Sequence, residues 1–171
     1  LLARLIPALA ARGVRVAVLK HTGHVHPFDR PGKDTDVLRR AGAVAAAIEG
    51  PEAMALYGPP RGGARALAAL LPPCDLVLAE GWKREPLPRL EVHRRRVSPA
   101  FLCAADRRVL AVVGEDAPPR PLPRFHPDDA AGVADFLVGW LRARARRRAA
   151  AASSRAARPR RAARRPAPSR R

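Results

Sequence analysis

Apolar residues recur at Leu1, Leu2, Leu5, Ile6 and Leu9, the three-and-four spacing of one helix face. Arg4 and Arg12 fall on its polar side, and Gly13 marks its end. Pro7 counts against a long regular helix here unless it lies close to the start. Val14 to Lys20 is short, apolar and rich in valine, which predicts a buried strand. A polar loop follows from His21 to Asp34, and then a helix over Thr35 to Ala43 with Gly42 near its end. Val44 to Glu49 and Ala53 to Tyr57 are short strand candidates, and Ala64 to Leu71 is an apolar-faced helix stopped by Pro72 and Pro73. Asp75 to Glu80 is the clearest strand, closed by an acid and Gly81. Arg89 to His93 alternates with a period of two, as a strand near a sheet edge does, and Val109 to Val113 reads as buried. Asp128 and Asp129 stand where N-cap and first-turn acids belong, ahead of a helix through Val133, Phe136, Leu137, Trp140 and Leu141. This alternation predicts a three-layer α/β sandwich with a mostly parallel sheet.

Composition changes that picture at one end. The 171 residues carry a formal net charge of +18, with 33 Lys and Arg against 15 Asp and Glu. Thirteen of those arginines, no lysine and no acid lie from Arg142 onward, so residues 1–141 carry only +5. The body is one mildly basic globular domain, 1–142, and 143–171 is expected to be a disordered tail rich in Arg, Ala and Pro, too poor in apolar surface to fold. Such a tail either draws in nucleic acid or an anionic membrane through a sequence-blind electrostatic term or reflects coding composition alone; it holds no aromatic residue for base stacking. Cys74 and Cys103 sit in apolar surroundings without a C-x-x-C pair, which points to two buried thiols in a reducing cytoplasm. No apolar run is long enough to span a membrane, and no signal peptide is apparent. The chain opens on Leu1 inside a periodic pattern and reads as a fragment.

Two constellations carry candidate chemistry. The strand Asp75 to Glu80, followed by Gly81, Trp82 and Lys83, sets an acid at the carboxyl edge of a sheet, where open α/β sheets bind ligands. Glu80 there either caps the turn or faces a hydrated Mg²⁺, a cation gripped by one or two carboxylates plus phosphate oxygens. The loop Lys20-His21-Thr22-Gly23-His24, continuing to Asp29, Lys33 and Asp34, leaves the first strand at the same edge. Its lysines offer point charges to anionic oxygens and its aspartates hard ligands to Mg²⁺, whereas the three histidines lack a fourth ligand at zinc spacing. No G-x-x-x-x-G-K-[ST] phosphate loop, G-x-S-x-G or H-E-x-x-H occurs.

Taken in order, Leu5 to Gly13, Val18 to Thr22, Asp29 to Asp34, Leu38 to Ala43, Asp75 to Lys83 and Gly132 to Phe136 resemble the molybdopterin-guanine dinucleotide biosynthesis protein B family over residues 1–142. The resemblance implies a P-loop NTPase-like fold, GTP and Mg²⁺ as ligands, slow GTP hydrolysis and a homodimer. It also implies an accessory role in attaching a guanine nucleotide to molybdopterin beside a molybdenum cofactor guanylyltransferase. By the same matching, Lys20, His21, Thr22, Lys33 and Lys83 face the phosphates, Glu80, Asp34 and Asp29 lie toward the metal, and Asp116 falls where a guanine-reading acid belongs. The family pattern puts a strand and a Gly-Lys-Thr loop ahead of the helix that begins here at Leu1, so the fold is expected to lack its first strand and phosphate loop, and GTP binding by residues 1–171 is expected to be very weak or absent. Other readings are a different P-loop NTPase or small-metabolite kinase, for which no Arg-rich lid is found, and a non-catalytic module binding a partner or nucleic acid.

Overall fold

The computed structural model describes residues 1–24, 27–59 and 62–156. Helix α1 (Leu2–Ala10) leads to strand β1 (Val16–Lys20), helix α2 (Asp34–Arg40), strands β2 (Ala46–Glu49) and β3 (Met54–Tyr57) and helix α3 (Ala64–Ala68). Strands β4 (Leu76–Glu80) and β5 (Arg89–Val92), a 3₁₀ turn (Leu102–Ala104), strands β6 (Val109–Val113) and β7 (Arg124–Phe125) and helix α4 (Ala130–Ala156) complete it. The alternation expected from the sequence is present as an α/β fold.

The sheet is divided. β1 pairs with β4 in parallel, β5, β6 and β7 form a second parallel sheet in that order, and β2–β3 is a separate antiparallel ribbon. One core nevertheless serves both parallel sheets. Leu5 and Leu9 of α1 and Val133, Ala134 and Leu137 of α4 pack with Val113 of β6, and Val16, Leu76, Leu78 and Leu90 close around them. β6 is buried along most of its length, as a central parallel strand should be; Val112 faces the opposite side, against Cys103 and Val109. Pro7 sits inside α1 without ending it, and Ala11 N–H still reaches the Pro7 carbonyl at 3.0 Å.

Two arginines fix the direction of the helices. Arg4, early in α1, donates to Asp128 Oδ1 (2.6 Å) and the Pro127 carbonyl (2.9 Å), just ahead of α4. Arg12, just past α1, grips both oxygens of Asp135 (2.7 and 2.8 Å), one turn into α4. The helices therefore run the same way. β1 returns from the far end of α1, and α4 starts right after β7, so the carboxyl ends of β1, β4, β5, β6 and β7 all lie at one edge.

Two expectations change. α4 continues as helix to Ala156, well past the boundary drawn at Arg142, because its Ala-Arg composition favours helix even without burial; from Arg142 its described side chains are exposed. The disorder expected for 157–171 lies outside the described residues. Of the two cysteines, Cys103 is buried and Cys74, in the turn between α3 and β4, only half-buried. Both are free thiols. Asp129 caps α4, accepting the Gly132 N–H at 2.8 Å.

Candidate functional site

The strand ends build the site. Lys20 and Glu80 are register partners at the last rung of β1–β4, and Lys20 Nζ lies 3.6 Å from Glu80 Oε2. Both side chains are largely in solvent, at 72% and 54% exposure, so the pair is loosely held and open to an incoming ion. The ladder runs one bond further, from His21 N–H to the Glu80 carbonyl at 2.8 Å. This seats the turn at Gly81 against His21: Gly81 adopts φ +98°, and a Cβ there would meet the His21 carbonyl oxygen at 2.4 Å. Only glycine fits that turn. Across it, the His21 and Trp82 rings stand 5.3 Å apart and tilted.

Beyond the rung, Lys20, His21, Thr22, Gly23, His24 and Phe28 line an open cleft of ≈ 590 Å³. Three of the expected phosphate-facing residues are thus brought together. Lys83 follows the Gly81 turn and is exposed, its N–H bonded to the Gly81 carbonyl at 2.7 Å. Lys33 and Asp34 lie at the start of α2, exposed, and neither lines this cleft. His26 lies outside the described residues.

Asp29 departs from its expected part. Its carboxylate is only 8% exposed, and it accepts the Thr35 hydroxyl (3.0 Å), the Arg30 N–H (2.9 Å) and Arg39 Nη2 (2.9 Å). Those bonds tie the loop to α2, so Asp29 is a structural anchor rather than an open metal ligand. Asp36, unremarked in the sequence, works beside it. It accepts the Gly32 N–H and Arg40 Nε, and these bonds, the Gly32 one foremost, hold its carboxyl below the usual range. Position alone, in the first turn of α2, was its signal.

A second group occupies the same edge at the ends of β5 and β6. Simple alternation along Arg89 to His93 would turn Leu90 and Val92 inward, yet Glu91 and His93 are buried (7% and 4% exposed) while Val92 is 52% exposed. The reason is the 3₁₀ turn lying on that face. Glu91 accepts the Leu102 and Cys103 N–H groups at 2.6 and 2.8 Å, satisfying the start of the turn. Burial, aided by Glu91, raises the Cys103 thiol pKa and keeps it protonated. His93 stacks on Phe101 at 3.7 Å between ring centres. Its Nδ1 faces Glu91 at 3.8 Å and its Nε2 faces Asp116 Oδ2 at 3.6 Å. The expected base-reading acid therefore stands beside a buried imidazole. The i, i+2 placement of Glu91 and His93 was the sequence signal for this cluster; its burial was not readable there.

Comparison with known proteins bears on the family and the fold. A family model described as MobB, molybdopterin guanine dinucleotide synthesis protein B, matches residues 1–115, ending one residue before Asp116. The chain is 34% identical over 149 residues to the molybdopterin-guanine dinucleotide biosynthesis adapter protein of Escherichia coli (strain K12), covering 82% of this chain and 85% of that protein. It is 35% identical over 147 residues to the adapter protein of the same description from Haemophilus influenzae, covering 82% and 81%. Among solved structures, a molybdopterin-guanine biosynthesis protein B (mobB) superposes with a TM-score of 0.60 at 24% identity, covering 82% of this chain and 88% of that one. Bacillus subtilis MobB superposes with a TM-score of 0.59 at 22% identity, covering 81% and 85%. These structural likenesses speak to the fold.

Proposed function

Because this chain belongs to the molybdopterin guanine dinucleotide synthesis protein B family and is an accessory protein of that biosynthesis, we propose that its strand-end edge takes GTP with Mg²⁺. The observation that carries the reading is the last rung of β1–β4, where an exposed lysine and an exposed carboxylate stand 3.6 Å apart beside an open cleft. A loosely paired, exposed carboxylate and ammonium suit a hydrated divalent cation carrying phosphate oxygens. Glu80 would hold the waters of Mg²⁺, with Asp34 the second available acid, and Lys20, His21, Thr22, Lys33 and Lys83 would meet the phosphates. When bound, the metal supplies charge neutralisation at the phosphates. Asp116 would meet the guanine base. The protein would act in the cytoplasm beside a molybdenum cofactor guanylyltransferase.

A homodimer is part of the same reading. The β2–β3 ribbon turns Ile48 (55% exposed), Met54 (68%) and Leu56 (44%) to solvent, and among the described residues neither strand pairs beyond the other. Apolar residues on an unpaired ribbon suit a second copy of the chain.

The test is Glu80→Gln, which removes charge without volume. Calorimetric titration of GTP with and without Mg²⁺ should show that Mg²⁺ strengthens binding to the parent chain and leaves binding to Glu80→Gln unchanged. Equal Mg²⁺ enhancement in both would remove Glu80 from the metal site.

A further inference from the structure

Packing does not account for the far end of α4. Val133, Ala134 and Leu137 seat the helix on the core, and Trp140 and Leu141 are the last residues it half-buries; every side chain from Arg142 to Ser154 is exposed. The helix nevertheless runs on to Ala156, about 22 Å beyond Leu141 at 1.5 Å per residue. That span is built of arginine, alanine and serine alone, with six arginines and no acid. Five of the six, Arg142, Arg144, Arg146, Arg147 and Arg148, fall within two turns. Arg142 and Arg146 share one side of the helix. Arg144 and Arg148 share another, about 160° round the axis, with Arg147 between. Like charges one turn apart oppose a helix that no packing supports, and anions on both sides would relieve them. Arg144 is already held, its guanidinium over the Trp140 ring at 5.3 Å from the centre.

We infer that this arm docks duplex DNA, lying as a helix in the major groove with its two arginine pairs on the phosphates of the two walls. The B-form major groove is about 12 Å wide and admits one α-helix, itself about 10–12 Å across with its side chains. Phosphate on both walls is the complement of cations on opposite sides of a helix. A membrane offers its charge on one side only, and a helix lying in it needs an apolar face, which arginine, alanine and serine do not supply. The major groove of A-form RNA is too narrow and deep for such a helix. The span holds no Asn or Gln to read adenine and no aromatic ring to stack on a base, so the contact is with the backbone and blind to sequence. α4 starts at the carboxyl edge of the strands and its arm leaves the body at the opposite end. The arm is thus independent of the nucleotide reading of that edge.

Fluorescence anisotropy of a labelled DNA duplex of about two helical turns, titrated with the full chain over a series of salt concentrations, is the test. Each arginine that neutralises a phosphate adds about 0.9 to the slope of log K against log salt. Changing Arg142, Arg144, Arg146, Arg147 and Arg148 together to Gln should make the slope shallower by about four and weaken binding on the order of a hundred-fold at low salt. The same five positions changed to Lys keep the charge and should keep the slope. Ala145→Pro keeps every charge and breaks the helix among the arginines, and should weaken binding about ten-fold. No binding of the duplex by the parent, or parent-like binding by the Gln variant, would overturn the inference. A Lys variant that loses the slope would overturn the electrostatic contact, and parent-like binding by Ala145→Pro would overturn the helix in the groove. So would displacement of the labelled DNA by an equal phosphate concentration of RNA duplex or of phosphatidylserine vesicles that exceeds displacement by unlabelled DNA, which would assign the arm to RNA or to a membrane instead.

Discussion

Charged side chains in this protein mostly work as local ties, and Asp106 shows how one can be measured. It accepts the Arg108 backbone N–H at 2.9 Å and Arg108 Nε at 2.8 Å, and Arg89 Nη1 stands 3.4 Å away. The Arg108 contacts, foremost, lower its carboxyl from 3.8 to about 2. A carboxyl lowered in the folded state contributes stability above its unfolded pKa, and that contribution is lost as pH falls toward the folded value. Asp106→Asn should therefore unfold at a lower temperature than the parent at neutral pH, with the two melting temperatures converging between pH 3.8 and about 2. Parallel curves across that range would exclude Asp106 as the titrating tie. At this scale the sequence was legible where chemistry repeats across contexts: Lys20, Glu80, and Asp129 at its cap stand where their patterns put them. It was silent where partners come from afar. Asp29 turned inward because Arg39 and Thr35 reach it across the loop, a pairing that only the fold creates.

Elements were legible by period and misjudged at their limits. The helices and strands fall close to the segments marked by three-and-four spacing, by short apolar runs and by Gly and Pro stops, since those features act through backbone and burial together. α4 overran its expected end because apolar periodicity marks only the packed part of a helix, and a run of Ala and Arg continues in solvent on propensity. β5 keeps its period of two at the sheet edge but buries its polar face, because a 3₁₀ turn covers Glu91 and His93. The β1–β4 pair is the element most tied to function, and its end depends on Gly81. Gly81→Ala would demand φ +98° of an alanine and force its Cβ against the His21 carbonyl. The strain at the backbone is of order 1–3 kcal/mol before any clash. We expect a lower denaturation midpoint and loss of the His21–Trp82 contact, read as a change in tryptophan fluorescence. A variant with the parent's midpoint and emission would show that this turn is not held as described.

Over the whole molecule, one core and one edge do the work, and charge lies elsewhere. Leu5, Leu9, Val113 and Val133 bind two separate parallel sheets into one body, and the shared direction of α1 and α4 aligns the strand ends that carry Lys20, Glu80, His93 and the loop to Asp116. Among the described residues, Arg142, Arg144, Arg146, Arg147 and Arg148 of α4 are exposed and carry much of the excess positive charge. Among the described residues no helix is long and apolar enough to cross a membrane. If two copies join through the β2–β3 ribbon, Ile48→Lys with Met54→Lys should convert a dimer to a monomer in sedimentation velocity while circular dichroism stays unchanged. A dimer that survives both lysines would place the interface elsewhere. If the strand-end edge binds a guanine nucleotide, amide chemical-shift mapping of the ¹⁵N-labelled chain during addition of GTP with Mg²⁺ will gather shifts at Lys20 to Thr22, Glu80 to Lys83 and Gly114 to Asp116. Shifts gathered instead on the arginines of α4 beyond Leu141, or none at all, would contradict it.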